Sequence, residues 1–240
     1  MARIEPIKPG WPIATGVSAL ATTRSGGASV EPFASLNLGD RCGDDPDTVR
    51  ENRRRLAAGL PSAPCWLKQV HGTSVIHLDD WRPGVEADAA WTDRPGQVAA
   101  VLSADCLPLL LADQRETLVA AIHAGWRGLA NGVIERAVAA LPLAPERLLA
   151  WIGPAISQAH YEVSDEVREQ FPFDSGAFAE NQRGRWQADL KAIARRRLLK
   201  VGVGQVFDSG LCTAADPARF FSYRRDGERT GRHANLIWLR

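Results

Sequence analysis

The sequence predicts an α+β fold in which sheets pack against each other and helices lie outside. Three observations predict it. Short apolar runs with the character of buried strands recur along the chain, amphipathic segments with helix-start signals stand among them, and the two kinds follow in mixed order rather than as a strict strand–helix repeat.

The elements follow in order. Residues 13–23 are apolar with small side chains and read as a strand, closed by a turn at Arg24-Ser25-Gly26-Gly27. Asp45 before Pro46 is an N-cap followed by proline at the first helical position. The helix it starts places Val49, Leu56 and Leu60 on one face, and Gly59 weakens its end. Residues 74–78 form a short strand, and 98–102 form a second, apolar throughout and so buried. A third strand covers 117–122, a helix covers 131–141 and stops before Pro142, and a buried strand at 148–152 is stopped by Gly153-Pro154. Ser164 with Asp165 and Glu166 starts a short helix with an acidic first turn. Residues 189–200 form an amphipathic helix whose basic cluster, Arg195, Arg196, Arg197 and Lys200, reads as a solvated face. Residues 220–225 and 235–239 read as closing strands, separated by a polar turn that leaves His233 in water. The eight tryptophans are expected to supply much of the core area.

A chain of 240 residues, 45% hydrophobic and 24% charged, has the composition of an ordinary globular protein and is expected to form one domain over 1–240. A net charge of +1 asks for neither nucleic acid nor a membrane surface as partner. Pro6, Pro9 and Pro12 interrupt the N-terminal stretch, which argues against a signal peptide, and no apolar run approaches the ~20 residues a membrane span needs. Cys42, Cys65, Cys106 and Cys212 include no CxxC pair, so a reducing cytoplasm is expected rather than a disulfide framework.

Chemistry concentrates in three segments: Lys68-Gln69-Val70-His71-Gly72, Ser103-Ala104-Asp105-Cys106-Leu107-Pro108 and His123-Ala124-Gly125-Trp126-Arg127-Gly128. Each puts a metal-competent or nucleophilic side chain at the end of an apolar run, beside residues that shape tight turns, where a rigid scaffold can aim loop side chains. His71, Cys106 and His123 make a zinc set that leaves the fourth tetrahedral position open. Such a metal lowers the pKa of water toward ~7. The same residues also fit two other readings. A buried cysteine is commonly a small hydrophobe, and a thiolate beside an imidazole is an activated nucleophile without any metal. Sequence order alone does not separate these readings. His160-Tyr161-Glu162 matches half of a zinc deaminase signature, but the chain lacks the Pro-Cys-x-x-Cys half, so the match is taken as chance.

These segments resemble the signature blocks of a known family. So do Trp151-Ile152-Gly153-Pro154-Ala155-Ile156 with Tyr161-Glu162-Val163, Phe221-Ser222-Tyr223-Arg224-Arg225 with Gly231-Arg232, Thr22-Thr23-Arg24-Ser25-Gly26-Gly27, and Ser35-Leu36-Asn37-Leu38-Gly39. Together they span nearly the whole chain, and the block at 123–128 is the most specific. The family is the YfiH-like group, first labelled polyphenol oxidase or laccase-domain proteins. Its members are described as purine nucleoside phosphorylases with adenosine deaminase and methylthioadenosine phosphorylase activities, and some bacterial members as peptidoglycan editing factors. The resemblance implies an α/β/β/α sandwich of mixed sheets flanked by helices, and a single zinc held by His71, Cys106 and His123. It also implies a purine nucleoside with phosphate as substrates, or a cell-wall precursor. The family pattern leads one to expect a smaller or apolar residue where His233 stands.

On that reading Arg127 and Arg24 are expected to bind phosphate, with Lys68 behind them, because the guanidinium fork bonds two oxygens at once. Asp105 is expected either to relay protons or to cap a turn. Gln69 is expected to bond the base or orient His71, and Asn37 to contact a ribose hydroxyl. Copper-cluster laccase chemistry is not expected, because five histidines without a His-x-His pair are too few ligands; a single adventitious copper on the Cys–His set remains chemically reasonable. Two rivals stand beside this reading. One is a metal-free hydrolase of a cell-wall amide, with Cys106 as nucleophile and His123 as base. The other is a structural zinc with Cys42 or Cys65 as fourth ligand in a binding protein. Monomer and homodimer are both left open.

Overall fold

The computed structural model describes residues 4–13 and 15–240, so Ala14, inside the first expected strand, lies outside the described residues. Its centre is a six-stranded mixed sheet in the order Gln205–Asp208, Leu148–Ile152, Leu107–Asp113, Val119–Ala124, Ala89–Thr92, Val75–His77. The two outer pairs are parallel and the three inner ones antiparallel. Alternation along a strand sends successive side chains to opposite faces. Leu107, Leu109 and Leu111 therefore pack in one core with Val133, Ala137, Ile193 and Leu198 of the helices Val133–Ala140 and Leu190–Lys200. Leu110 and Ala112 pack in a second core with Val17, Val101 and Ile237. These last belong to an antiparallel three-stranded sheet, Val17–Ala21, His233–Leu239 and Ala99–Ser103. Its far face holds Ala100 and Leu236 against Leu56 of the helix Pro46–Ala57 and against Leu36 and Leu38. The layers run helix, sheet, sheet, helix. A sheet covered on both faces explains why its strands read as unbroken apolar runs.

The helix starts follow their caps. Asp45 accepts from Thr48 N at 2.7 Å and Asp189 from Ala192 N at 2.9 Å. The helix expected over 131–141 begins at Val133, because Gly132 adopts φ +85° and separates it from a short helix, Trp126–Ala130. The strand Leu107–Asp113 has no counterpart among the elements expected from the sequence, and it carries a proline, which sheets tolerate near a strand's start. Pro108 sits one residue from the strand's start, and its carbonyl accepts from Gly153 N at 2.9 Å.

Four expectations are corrected. Residues 220–225 form no strand. Phe221 N donates to His233 Nε2 at 2.7 Å, Ser222 caps a short helix Tyr223–Asp226, and no ladder partner remains for this backbone. His233 is 2% exposed rather than solvated; it begins the closing strand and sits against Phe220 and Phe221. Only Trp11 and Trp151 of the tryptophans are buried, and leucine, isoleucine, valine and alanine make the core. The basic cluster on Leu190–Lys200 is partly an internal clamp, because Arg196 and Arg197 both grip the buried Asp174.

Candidate metal centre and its cleft

Cys106 lies where the chain passes from one sheet to the other, between the strands Ala99–Ser103 and Leu107–Asp113. Asp105 turns the backbone there with φ +89°, an arrangement that needs support in a residue with a Cβ. Its carboxylate supplies that support. Oδ1 accepts from Thr213 Oγ1 at 2.6 Å, and Oδ2 accepts from Ser222 Oγ at 3.0 Å and Arg224 N at 2.7 Å. Asp105 thus ties the Cys106 turn to the 211–226 segment.

His123 is the penultimate residue of the neighbouring strand, paired with Pro108. The register Ala89↔Ile122 sets Asp88 opposite His123, with both side chains on the face between the sheets. Asp88 is fully buried. Its Oδ1 accepts from His123 Nδ1 at 2.8 Å and from His71 N at 3.0 Å, and its Oδ2 accepts from Gly72 N at 2.7 Å and Val70 N at 3.2 Å. One carboxylate therefore orients the His123 ring and folds the loop that carries His71, whose φ is +58°. Burial works against charge on Asp88, yet the bonds from His123 and the loop amides hold its carboxyl below the ordinary value.

With Nδ1 engaged, His123 presents Nε2 to the cluster. The ligand atoms of His71, Cys106 and His123 all lie within 4.8 Å of one another. The Cys106 Sγ–His71 Nε2 separation is 3.8 Å, and the two imidazoles meet edge to face with centroids 4.8 Å apart. Zinc–sulfur and zinc–nitrogen bonds at a tetrahedral angle require an N···S separation of about 3.6 Å, so the donor set fits such an ion with small adjustment. The carboxylate behind His123 is the usual support for a metal-binding imidazole. Gly125 leaves the space: a Cβ there would lie 2.9 Å from the His71 ring and 3.0 Å from Cys106 Sγ. Burial raises the Cys106 thiol, but hydrogen bonds and charge from His123 and His71 outweigh it and bring its pKa to about 6. Burial likewise lowers His123, and Asp88 and Cys106 outweigh that and lift it to about 9. The pair favours a thiolate beside an imidazolium, the state from which a metal displaces a proton.

The cluster opens into a cleft of about 570 Å³. Arg127 reaches it from the helix Trp126–Ala130, its guanidinium 4.3 Å from the Trp126 ring centroid. Gln69 lines it too, but its amide is committed, with Oε1 accepting from Leu102 N and Nε2 donating to Leu102 O, both at 2.7 Å. It fixes the loop before His71 to the second sheet. Asp105 lines the cleft with the oxygens described above.

Arg24, Asn37 and Lys68 do not line the cleft. Arg24 donates to Ala34 O at 2.7 Å and Pro217 O at 3.0 Å and lies against Phe221. Asn37 is fully buried. Its Nδ2 donates to Gly39 O, Cys42 Sγ and Asp44 Oδ2, and its Oδ1 accepts from the amides of Gly39 and Arg232. Lys68 pairs with Glu86 at 2.7 Å on the surface. His160 is exposed and contacts Ser157 and Cys212 rather than the three ligands. Cys42 and Cys65 are not part of the ligand cluster.

Sequence reasoning missed Asp88 as a site residue, and Arg41, Tyr161, Arg224 and Arg232, which also line the cleft. The signal for Asp88 was a carboxylate heading an apolar run, where burial demands partners. Arg41 carried no comparable signal.

Among the described residues no helix is long and apolar enough to cross a membrane. The sequence profile of a family described as multi-copper polyphenol oxidoreductase laccase matches residues 18–240. A purine nucleoside phosphorylase YfiH of Escherichia coli is 50% identical over 240 residues, covering 97% of this chain and 98% of that protein. A purine nucleoside phosphorylase of Pseudomonas aeruginosa is 48% identical over 238 residues, with 97% and 98% covered. A Neisseria meningitidis protein of known structure superposes with a TM-score of 0.93 at 43% identity, 98% of each chain covered. YlmD from Geobacillus stearothermophilus does so with a TM-score of 0.90 at 36% identity, 98% and 96% covered. By profile, identity and fold together, this chain belongs to the polyphenol oxidoreductase laccase family, the group of YfiH and YlmD.

Proposed function

We propose that this protein is a zinc-dependent purine nucleoside phosphorylase acting on adenosine, inosine and methylthioadenosine, with adenosine deamination as a second activity of the same centre. The observation that carries it is the convergence of His71, Cys106 and His123 at a cleft that also holds arginines, in a chain half identical to proteins named for that phosphorolysis. The family's multicopper description does not fit the ligand count, since the chain has five histidines and, among the described residues, one cluster of three metal-competent side chains.

His71, Cys106 and His123 would hold zinc, which supplies Lewis acidity to a substrate heteroatom when bound. The rest falls to the chain's own residues. Arg127 and Arg224 donate to phosphate. The Tyr161 phenol, pushed up by burial and then by charge at Cys106, stays protonated and is a hydrogen-bond donor in the cleft. In the reaction the C1′–N9 bond breaks, a phosphate oxygen bonds C1′, and the proton carried by phosphate goes to the purine nitrogen. Asp105 and Gln69 act as positioning residues, because their polar atoms are occupied by the turn and by Leu102.

The test is phosphate-dependent release of hypoxanthine from inosine together with elemental analysis, for wild type and Cys106→Ala. About one zinc per chain with phosphate-dependent release, both lost in the variant, supports the reading. Full turnover in the variant overturns it. The lowered thiol beside two imidazoles favours one alternative, a metal-free amide hydrolase of a cell-wall precursor with Cys106 as nucleophile. Alkylation of Cys106 that added zinc does not slow would point there.

A further inference from the structure

A second cluster of nucleophilic and titratable side chains lies outside the cleft and has no part in the reaction proposed above. It consists of Cys212, Ser157 and His160, none of which lines the cleft. A parallel bridge between Ala155 and Cys212 brings the two segments together, with Thr213 N donating to Ala155 O at 3.1 Å. The short turn Gln158–His160 then folds back, and His160 N donates to Ser157 O at 3.0 Å. The three reactive atoms form a closed triangle. Ser157 Oγ donates to Cys212 Sγ at 3.1 Å. His160 Nδ1 lies 3.2 Å from Ser157 Oγ and 3.6 Å from Cys212 Sγ. Cys212 and Ser157 are half-buried and His160 is exposed, so the cluster is open to solvent on the imidazole side.

The sulfur is surrounded by donors. Besides the Ser157 hydroxyl it accepts from Ser157 N at 3.3 Å and from the amides of Ala215 and Ala214. A neutral thiol is a weak acceptor, whereas a thiolate is stabilised by each such bond. Burial raises the Cys212 thiol, yet these bonds outweigh it and hold it below the ordinary value. Cys65 supplies the contrast. It is half-buried too, but burial raises its thiol and no donor among the described residues offsets that. The thiolate is the reactive form, so the two sulfurs differ by their surroundings rather than by exposure.

We propose that Cys212 is a peroxide-reactive thiol, oxidised to a sulfenic acid in a site completed by Ser157 and His160. Hydrogen peroxide is the oxidant that suits it. A half-buried sulfur admits a molecule of two heavy atoms more readily than a larger disulfide. The Ser157 hydroxyl and the His160 imidazole stand beside the sulfur, where they can bond the peroxide oxygens. In the step, the Cys212 thiolate attacks one peroxide oxygen, an S–O bond forms and the O–O bond breaks. The sulfur gives up two electrons and the peroxide takes them. The leaving hydroxide takes the Nδ1 proton of the protonated His160 imidazole and departs as water, leaving Cys212 as the sulfenic acid and His160 neutral. A thiol reverses the change through a mixed disulfide.

The experiment treats the full-length, metal-loaded protein with hydrogen peroxide at neutral pH, traps sulfenic acid with dimedone, and reads each cysteine separately by peptide mass spectrometry. Parallel samples are alkylated with iodoacetamide, a reaction in which no oxygen leaves. In wild type, Cys212 should be oxidised at least about tenfold faster than Cys65, the fold-change that one pKa unit of thiolate stabilisation implies. Ser157→Ala should slow Cys212 at least about threefold with both reagents, because the thiolate loses a donor. His160→Gln should slow oxidation by a similar factor and leave alkylation within about twofold, because only the oxidation needs a proton for its leaving group. Oxidation of Cys212 no faster than that of Cys65 overturns the proposal, and that comparison needs no variant to fold. A His160→Gln effect that is absent, or equal for the two reagents, also overturns it.

Discussion

Two polar clusters meet around Cys106, and they are built on opposite terms. In the Asp105–Ser222–His233 cluster every valence is used inside the chain. Asp105 accepts three bonds, Ser222 Oγ donates to Asp105 and caps a helix, and His233 donates from Nδ1 to Ser103 O at 3.0 Å while Nε2 accepts from Phe221 N. In the His71–Cys106–His123 cluster only the back is tied down, through Asp88, and the ligand atoms face one another and the cleft. A saturated buried network holds a fold together, whereas side chains that bond only one another beside a cleft are free to turn to a ligand. The contrast separates scaffold from chemistry here better than residue type does, since each cluster contains histidine and sits beside an aspartate.

The sharpest way to break this comparison is Cys106→Ala. It should take metal from about one per chain to none and lower phosphate-dependent cleavage by more than about a hundredfold, with a change in melting temperature of only a few degrees. Elemental analysis, steady-state kinetics and a thermal melt check the three parts. Asp88→Asn comes next. It should weaken metal binding by about 10- to 100-fold in competition with a chromophoric chelator, because His123 loses its orienting charge. Asp88 is held below its unfolded value, so its contribution to stability is present above the unfolded pKa and is lost as pH falls through the folded one.

On the scaffold side, His233→Ala should cost about 2–4 kcal/mol in denaturant unfolding while metal content is retained. Burial, ahead of every other cause, lowers the His233 pKa from 6.5 to about 3. The unfolded chain therefore binds this proton first. Stability should fall as pH drops below 6.5, by about 5 kcal/mol at most when pH 3 is reached. The variant should lose that part of the pH dependence. Asn37→Ala should cost about 1–3 kcal/mol and leave the nucleoside KM within about twofold, since the amide spends its bonds on Gly39, Asp44 and Arg232. A large KM effect would put Asn37 back at the substrate. Lys68→Gln should change neither melting temperature nor kcat/KM measurably, as for exposed ion pairs in general.

How much was legible follows from how local each signal is. Caps and apolar runs are local, so the strands near 98–102 and 148–152 and the helices begun by Asp45 and Asp189 stand where the sequence puts them. Residues 220–225 misled because two phenylalanines, a tyrosine and a serine match a strand pattern, while the acceptor that captures Phe221 N is on His233, twelve residues away. His233 misled for the related reason that its polar neighbours Thr230 and Arg232 suggested a wet turn. The strand pairing with Ser103 pulls the ring inward instead.

By itself, the sequence determined the alternation of buried strands and capped helices, and it placed His71, Cys106 and His123 beside tight turns at strand ends. Those features depend on residues within a few positions of each other, where periodicity and side-chain chemistry act directly. Only the tertiary structure decided that His71, Cys106 and His123 converge, that Asp88 holds the His123 ring and the His71 loop, and that Arg41, Arg127, Arg224 and Arg232 rather than Arg24 and Lys68 face the cleft. Each of those outcomes is set by the register between strands and the crossing from one sheet to the other, which bring together residues far apart in the chain, such as Asp88 with His71 and Asp105 with Arg224. No local pattern carries that information, because the free energy that selects it comes from burying both faces of the central sheet at once.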